Sequence, residues 1–155
     1  MKRNLLKAFA MLMLLVVLSL ASAVASAQTQ AANKVVATVP FEFSVGYKTM
    51  PAGDYSVQII ATANDALMIK NADSSVSALR LSEATSREKE KSNARLIFNR
   101  YGDKYFLSEV WNGVDKVGRR LIKSDDERAA EADANANREA AHASYERVEV
   151  AALLR

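Results

Sequence analysis

The chain has 155 residues, no cysteine and one histidine, His142. That excludes a disulfide framework, thiolate chemistry and any metal centre built from Cys or several His. Its 21 Lys and Arg against 18 Asp and Glu give a net charge of +3, but Lys2, Arg3 and Lys7 lie in the first 27 residues. Without those three, 18 basic residues balance 18 acidic ones, and the basic excess that would suggest nucleic acid or an anionic membrane surface disappears.

Residues 1–27 read as an export signal. Lys2, Arg3 and Lys7 form a positive n-region, residues 8–20 are apolar apart from one Ser, and Ala25-Ser26-Ala27 supplies a small-x-small cleavage site. The expected location is therefore periplasmic or extracellular. An uncleaved anchor is the competing reading, because no charged residue occurs from 8 to 33 and about 20 apolar residues span a bilayer. The polar Gln28-Thr29-Gln30 favours cleavage, after which no membrane span remains. With no Cys there is no lipobox, and no adjacent Arg pair marks the twin-arginine route. The part after Ala27 is long enough for one domain with one hydrophobic core.

Residues 28–33 form a short polar linker, and a β domain is expected over 34–123. Val35, Ala37, Val39, Phe41, Phe43 and Val45 alternate with Val36, Thr38, Pro40, Glu42 and Ser44, the pattern of a half-buried strand. Pro40 cannot donate to a ladder, which places this strand at an edge or bulges it there. Residues 46–53 form a connection with turn chemistry at Met50-Pro51-Ala52-Gly53-Asp54. Tyr55, Val57 and Ile59 mark a second strand, Asn64-Asp65 a turn, and 67–69 and 76–81 two shorter strands separated by a turn over 71–75. Residues 86–93, with Arg87-Glu88-Lys89-Glu90-Lys91, read as a solvated charged loop.

The strongest local signal is a hairpin over 95–111 with Gly102-Asp103 as its two-residue loop. Uninterrupted register sets Phe98 opposite Leu107, Arg100 opposite Tyr105, Asn99 opposite Phe106, Leu96 opposite Glu109 and Ile97 opposite Ser108. Both faces then carry large apolar residues, so the pair is expected near the middle of the sheet and covered on both sides. Asn112-Gly113-Val114-Asp115 is a further turn, and 117–122 a weaker strand. Residues 124–155 form an Ala-rich segment. Ser124-Asp125-Asp126-Glu127 reads as a capping box opening a helix that runs to about His142, and its poor apolar face predicts shallow packing or projection. Residues 145–154 continue that helix or close the sheet as a strand; Val148 and Val150 around Glu149 favour the strand.

Catalytic constellations are scarce. His142 lies in the polar helical segment with no second His or Cys to share a metal. There is no nucleophile elbow, P-loop, dinucleotide fingerprint or EF-hand loop. Carboxylates are the one remaining catalytic option, and those with apolar neighbours are Glu42, Asp54, Asp103 and Glu109. Asp54 and Asp103 fit turns, and Glu42 faces outward. Glu109 is the one to follow, with Arg95 or Arg119 as its expected ion-pair partner. Phe41, Phe43, Tyr55, Phe98, Tyr105, Phe106 and Trp111 are expected core, with lining of an apolar ligand cavity as the other reading. Basic residues are not interleaved with aromatics, so no nucleic acid is expected.

Two stretches carry a family resemblance. They are Val39-Pro40-Phe41-Glu42-Phe43-Ser44-Val45-Gly46 with Pro51-Ala52-Gly53-Asp54-Tyr55, and Phe98-Asn99-Arg100-Tyr101-Gly102-Asp103-Lys104-Tyr105-Phe106-Leu107 with Trp111. Together they resemble a family of uncharacterised small exported β-rich bacterial proteins. The resemblance implies an exported β domain and implies no activity, cofactor or site residue. The expected fold is mainly β, an antiparallel sandwich or small open barrel of about six to eight strands with one C-terminal polar helix. The expected function is a non-enzymatic envelope or extracellular binding module, with no catalytic, cofactor or metal residues and an unknown ligand-binding set. Its partner would be a protein, an envelope component or a small apolar molecule. Carriage of a small apolar ligand is the first alternative, and a carboxylate-only carbohydrate-active enzyme the second.

Overall fold

Strand alternation and one proline decide how the β region begins. Val35, Ala37, Val39, Phe43 and Val45 are all buried, as the period of two requires, but the chain breaks at Pro40. The first expected strand is therefore two: β1 (Val35–Val39) and β2 (Phe43–Val45). The break replaces the expected edge or bulge, since β1 has neighbours on both sides. The computed structural model describes residues 34–61, 66–73, 75–86, 93–141 and 146–155. The expected export signal and linker, the turn at Asn64-Asp65, the charges at 87–91, His142 and Tyr145 lie outside the described residues.

The chain continues through β3 (Lys48–Met50), β4 (Gly53–Ala61), β5 (Ala66–Asn71), β6 (Ser77–Ser86), β7 (Arg95–Tyr101), β8 (Lys104–Trp111) and β9 (Val117–Leu121). Then come α1 (Asp125–Ala141), β10 (Glu146–Ala151) and β11 (Leu153–Leu154). Among the described residues the fold is mainly β with one helix, as the alternation and turn pattern suggested. The described residues form eleven strands where six to eight were expected. Pro40 splits one strand, the 46–53 connection contains β3, and the C-terminal strand forms in two pieces.

The strand order is β10-β7-β8-β9-β6-β5-β4-β1-β11, with β2 joined to β3 and β8. All pairs are antiparallel except β2 with β8, which meet in parallel at Ser44 and Phe106. The sheet is not closed, yet its two end strands are consecutive in the chain. Glu146–Ala151 pairs with β7, and Leu153 and Leu154 pair with β1. Ala152 lies between, its N–H donating to the Ala94 carbonyl at 2.9 Å. Val148, Val150, Ala152 and Leu154 pack against the core from this segment.

Inside, the aromatic residues collect at one end of the strands. Phe43 meets Tyr55 edge-on at 5.0 Å and Phe98 at 5.1 Å, and Phe41 meets Phe98 at 5.2 Å and stacks on Tyr105 at 4.0 Å. Such pairs add about 0.5–1.5 kcal/mol each beyond area burial. Phe106 and Trp111 are not in this core. Phe106 packs with Tyr101 and Ala130 on the outer side of the sheet, under α1. Helix cover of one face and core on the other is what the two apolar faces of the 95–111 hairpin required.

The hairpin departs from simple register at one residue. Gly102 takes φ 64° in the two-residue loop, and Arg100, Asn99 and Phe98 face Tyr105, Phe106 and Leu107 as expected. Beyond that, Ile97 faces Glu109 and Leu96 faces Val110, which leaves Ser108 as a bulge. The expected pairs Leu96 with Glu109 and Ile97 with Ser108 do not form. An extra residue reverses the facing of everything after it. Here it turns Glu109 out of the core and Val110 in. Deleting Ser108 should return the Glu109 carboxylate to the core face and cost several kcal/mol, abolishing the cooperative thermal transition by circular dichroism. Ser108→Ala, which keeps the residue count, should stay within about 1 kcal/mol of the parent. Equal stability of the deletion and the parent would contradict the role assigned to the bulge.

Candidate functional site

Among the described residues four places carry polar or concave features: an ion cluster on the outer face of β8, the anchorage of α1, an aliphatic cavity, and a groove across β11, β1, β4 and β5. The ion cluster centres on Glu109, which is only 3 % exposed. Arg147 Nη2 lies 2.6 Å from its Oε1, Arg120 Nε 3.6 Å from the same oxygen, and Trp111 Nε1 donates to Oε2 at 2.9 Å. Arg120 Nη2 also donates to Thr85 Oγ1 at 2.9 Å, and the Arg95 guanidinium sits 5.2 Å from the Trp111 ring centroid. The close approach is allowed by Gly118, where a Cβ would fall 2.6 Å from ring carbons of Trp111.

Glu109 pairs with Arg147 and Arg120, which the sequence did not indicate as its partners. The bulge is the reason. It puts Glu109 on the outer face, whereas Arg119 faces Val110 on the inner side of β9. The Glu109 contacts tie β8 to β9 and β10, a fastening role. The other candidate carboxylates are dispersed. Glu42 is exposed between β1 and β2, and Asp103 is exposed at the hairpin tip. Asp54 belongs to β4 rather than to a turn, and accepts a hydrogen bond from Thr38 Oγ1. Among the described residues no three His, Asp or Glu gather as metal ligands.

The helix is anchored through polar groups. Ser124 Oγ accepts from the Glu127 N–H at 3.2 Å, half of the expected capping box. The Glu127 carboxylate makes a different bond from the expected one: Asn99 Nδ2 of β7 donates to its Oε1 at 2.8 Å. Burial pushes the Glu127 carboxyl above its usual 4.5, partly offset by Asn99. Lys123 Nζ reaches both Glu131 oxygens at 2.7 Å. Tyr101, beneath the helix, is pushed up to about 12 by burial and by the negative charge of Glu127. The first half of the helix therefore seats itself with small Ala side chains and buried polar bonds.

The raised Glu127 carboxyl has a defined linkage. The folded state binds this proton more tightly than the unfolded chain, so the contribution to stability is largest below pH 4.5 and is lost as pH rises through the raised value. Glu127→Gln retains an acceptor for Asn99 and removes the charge. The stability difference between parent and variant, measured by urea unfolding, should shift in favour of the variant as pH rises from 4 to 7. A difference that shifts towards the parent with rising pH would show that the charged form is the one the fold prefers.

The cavity lies at the end of the strands opposite the aromatic cluster. Its wall is Val35, Val57, Ile59, Leu67 and Val110, and its volume is about 280 Å³. The physical reason is side-chain size: beyond Tyr55 and Phe98, the inward residues of β1, β4, β5 and β8 are aliphatic and leave space the aromatics fill elsewhere. The aromatic residues therefore do not line it, contrary to the cavity reading of the sequence. Asn112, Asp115, Lys116, Val117 and Arg119 form the rim. The rim turn is rigid, because Asn112 Oδ1 accepts the N–H groups of Val114 and Asp115 at 3.0 and 2.9 Å, and Asn112 Nδ2 donates to Asp115 at 2.6 Å. Only residue size along four separate strands could have signalled this cavity.

No helix among the described residues is long and apolar enough to cross a membrane. In comparisons with known proteins, no family model, no curated protein and no solved structure matches this chain.

Proposed function

We propose that the protein is an exported, non-enzymatic binding module that takes a small apolar ligand in its aliphatic cavity. The observation carrying this reading is the cavity itself, apolar at its wall, polar and rigid at its rim, and close in size to the roughly 300 Å³ lower end of ligand pockets. In this reading the sheet acts as a small open barrel whose wall is completed by β10 and β11. Export rests on residues 1–27, with cleavage after Ala27. The likeness to small exported bacterial β proteins agrees with this placement and adds no activity. A carboxylate-only enzyme has less support, since Glu109 is engaged by two arginines and an indole.

Native mass spectrometry of the protein recovered from the envelope of its own host tests the proposal. A discrete additional mass, released on denaturation, is expected. Val117 is half exposed at the rim, so Val117→Trp should obstruct the mouth with little loss of stability and remove the additional mass. A bare protein, or an adduct that Val117→Trp retains, would overturn the reading.

A further inference from the structure

The outer face of β11, β1, β4 and β5 has no described element packed over it, whereas α1 covers β7 and β8. Register sets out its outward rows. Leu153, Val36, Ser56 and Lys70 run across the four strands. Arg155 and Lys34, joined by main-chain hydrogen bonds of 2.8 and 3.2 Å, begin the next row. These residues border a shallow groove of about 780 Å³. Three cations line it, Lys34, Lys70 and Arg155, and its one acidic residue, Asp54, is occupied by Thr38. No described residue pairs with those three cationic side chains.

Apolar side chains stand on the same outer surface. Leu153 is 64 % exposed at the groove, and Leu79 and Leu81 of β6 are 58 % and 56 % exposed beyond β5. The first part of α1, on another face, holds Asp125, Asp126, Glu127, Glu131 and Asp133 against Arg128, while Glu83 of β6 stands exposed two residues beyond Leu81. The described residues thus place three unpaired cations together on this face and an acidic helix start on another. Charge so arranged orients a protein at a charged surface without any net charge.

We propose that this face docks on the anionic lipid headgroups of a membrane surface. Lysine and arginine meet the headgroup charge while exposed leucines enter the interface beside them. The groove is far too wide and open to grip a single free phosphate. An acidic polypeptide would satisfy the cations and leave the leucines of β6 without a role. The proposal is independent of the cavity and its ligand.

Sedimentation of the protein with phosphatidylglycerol vesicles tests it, with phosphatidylcholine vesicles as reference. Each cation contributes roughly a fivefold gain in partitioning near an anionic surface, so Lys34→Gln, Lys70→Gln and Arg155→Gln together should weaken binding about a hundredfold. These side chains make no described hydrogen bond or ion pair, so the thermal midpoint of the triple variant should stay close to that of the parent. Raising salt from 0.1 to 1 M shortens the screening length from about 10 to about 3 Å and should release the protein. Leu79→Ser with Leu81→Ser should weaken binding further while leaving the salt dependence intact. Equal partitioning of parent and triple variant overturns the proposal, as does absence of binding to phosphatidylglycerol. Binding of inorganic phosphate or of polyglutamate without vesicle binding would also overturn it, reassigning the face to a soluble anion or an acidic polypeptide.

Discussion

The two ends of the sheet are held by one short stretch of chain, and the rest of the structure depends on that double attachment. Glu146–Ala151 completes the ladder on β7, and two residues later Leu153 and Leu154 complete it on β1. Exposed strand edges are templates for unwanted pairing, and a single segment here covers an edge at each end of the path. Its inward residues Val148, Val150, Ala152 and Leu154 also close over the core. The segment is mostly exposed on its other side, so its attachment rests on main-chain bonds, a modest apolar stripe and the Arg147 pair with Glu109.

That pair explains why a bulge at Ser108 matters far from the hairpin loop. With it, Glu109 lies where Arg147 of β10 and Arg120 of β9 can reach it, while Val110 joins the core. A buried ion pair is not by itself strongly stabilising, because desolvation offsets attraction. Its larger effect is on register: β10 slipped by one residue would turn Arg147 away and leave a buried carboxylate with one partner fewer. The polar bonds beneath α1 work the same way, seating a helix of alanines at one place on β7.

Much of this was legible in the chain. Period-two alternation placed β1, β4, β7 and β8, and Gly102-Asp103 located the hairpin loop. Ser124 marked the start of the helix within a residue. The 145–154 segment was correctly favoured as strand from Val148 and Val150. What failed to show was long-range or geometric. A bulge leaves no mark in the residue pattern, so the sequence did not place Glu109 on the outer face or beside Arg147 and Arg120. Trp111 resembled a core aromatic, and its burial on the outer face depends on Gly118, on a strand seven residues later. The cavity and the cationic groove are each assembled from four or five strands, and neither exists at the level of any one of them.

Hydrogen exchange of the backbone amides measures the double attachment most directly. If 146–154 holds both ends of the sheet, its hydrogen-bonded amides should open only with the whole domain and exchange as slowly as those of β7 and β1. Fast exchange throughout 146–154, with β7 and β1 still fully protected, would mean that the sheet stands without its C-terminal strand and would contradict the account.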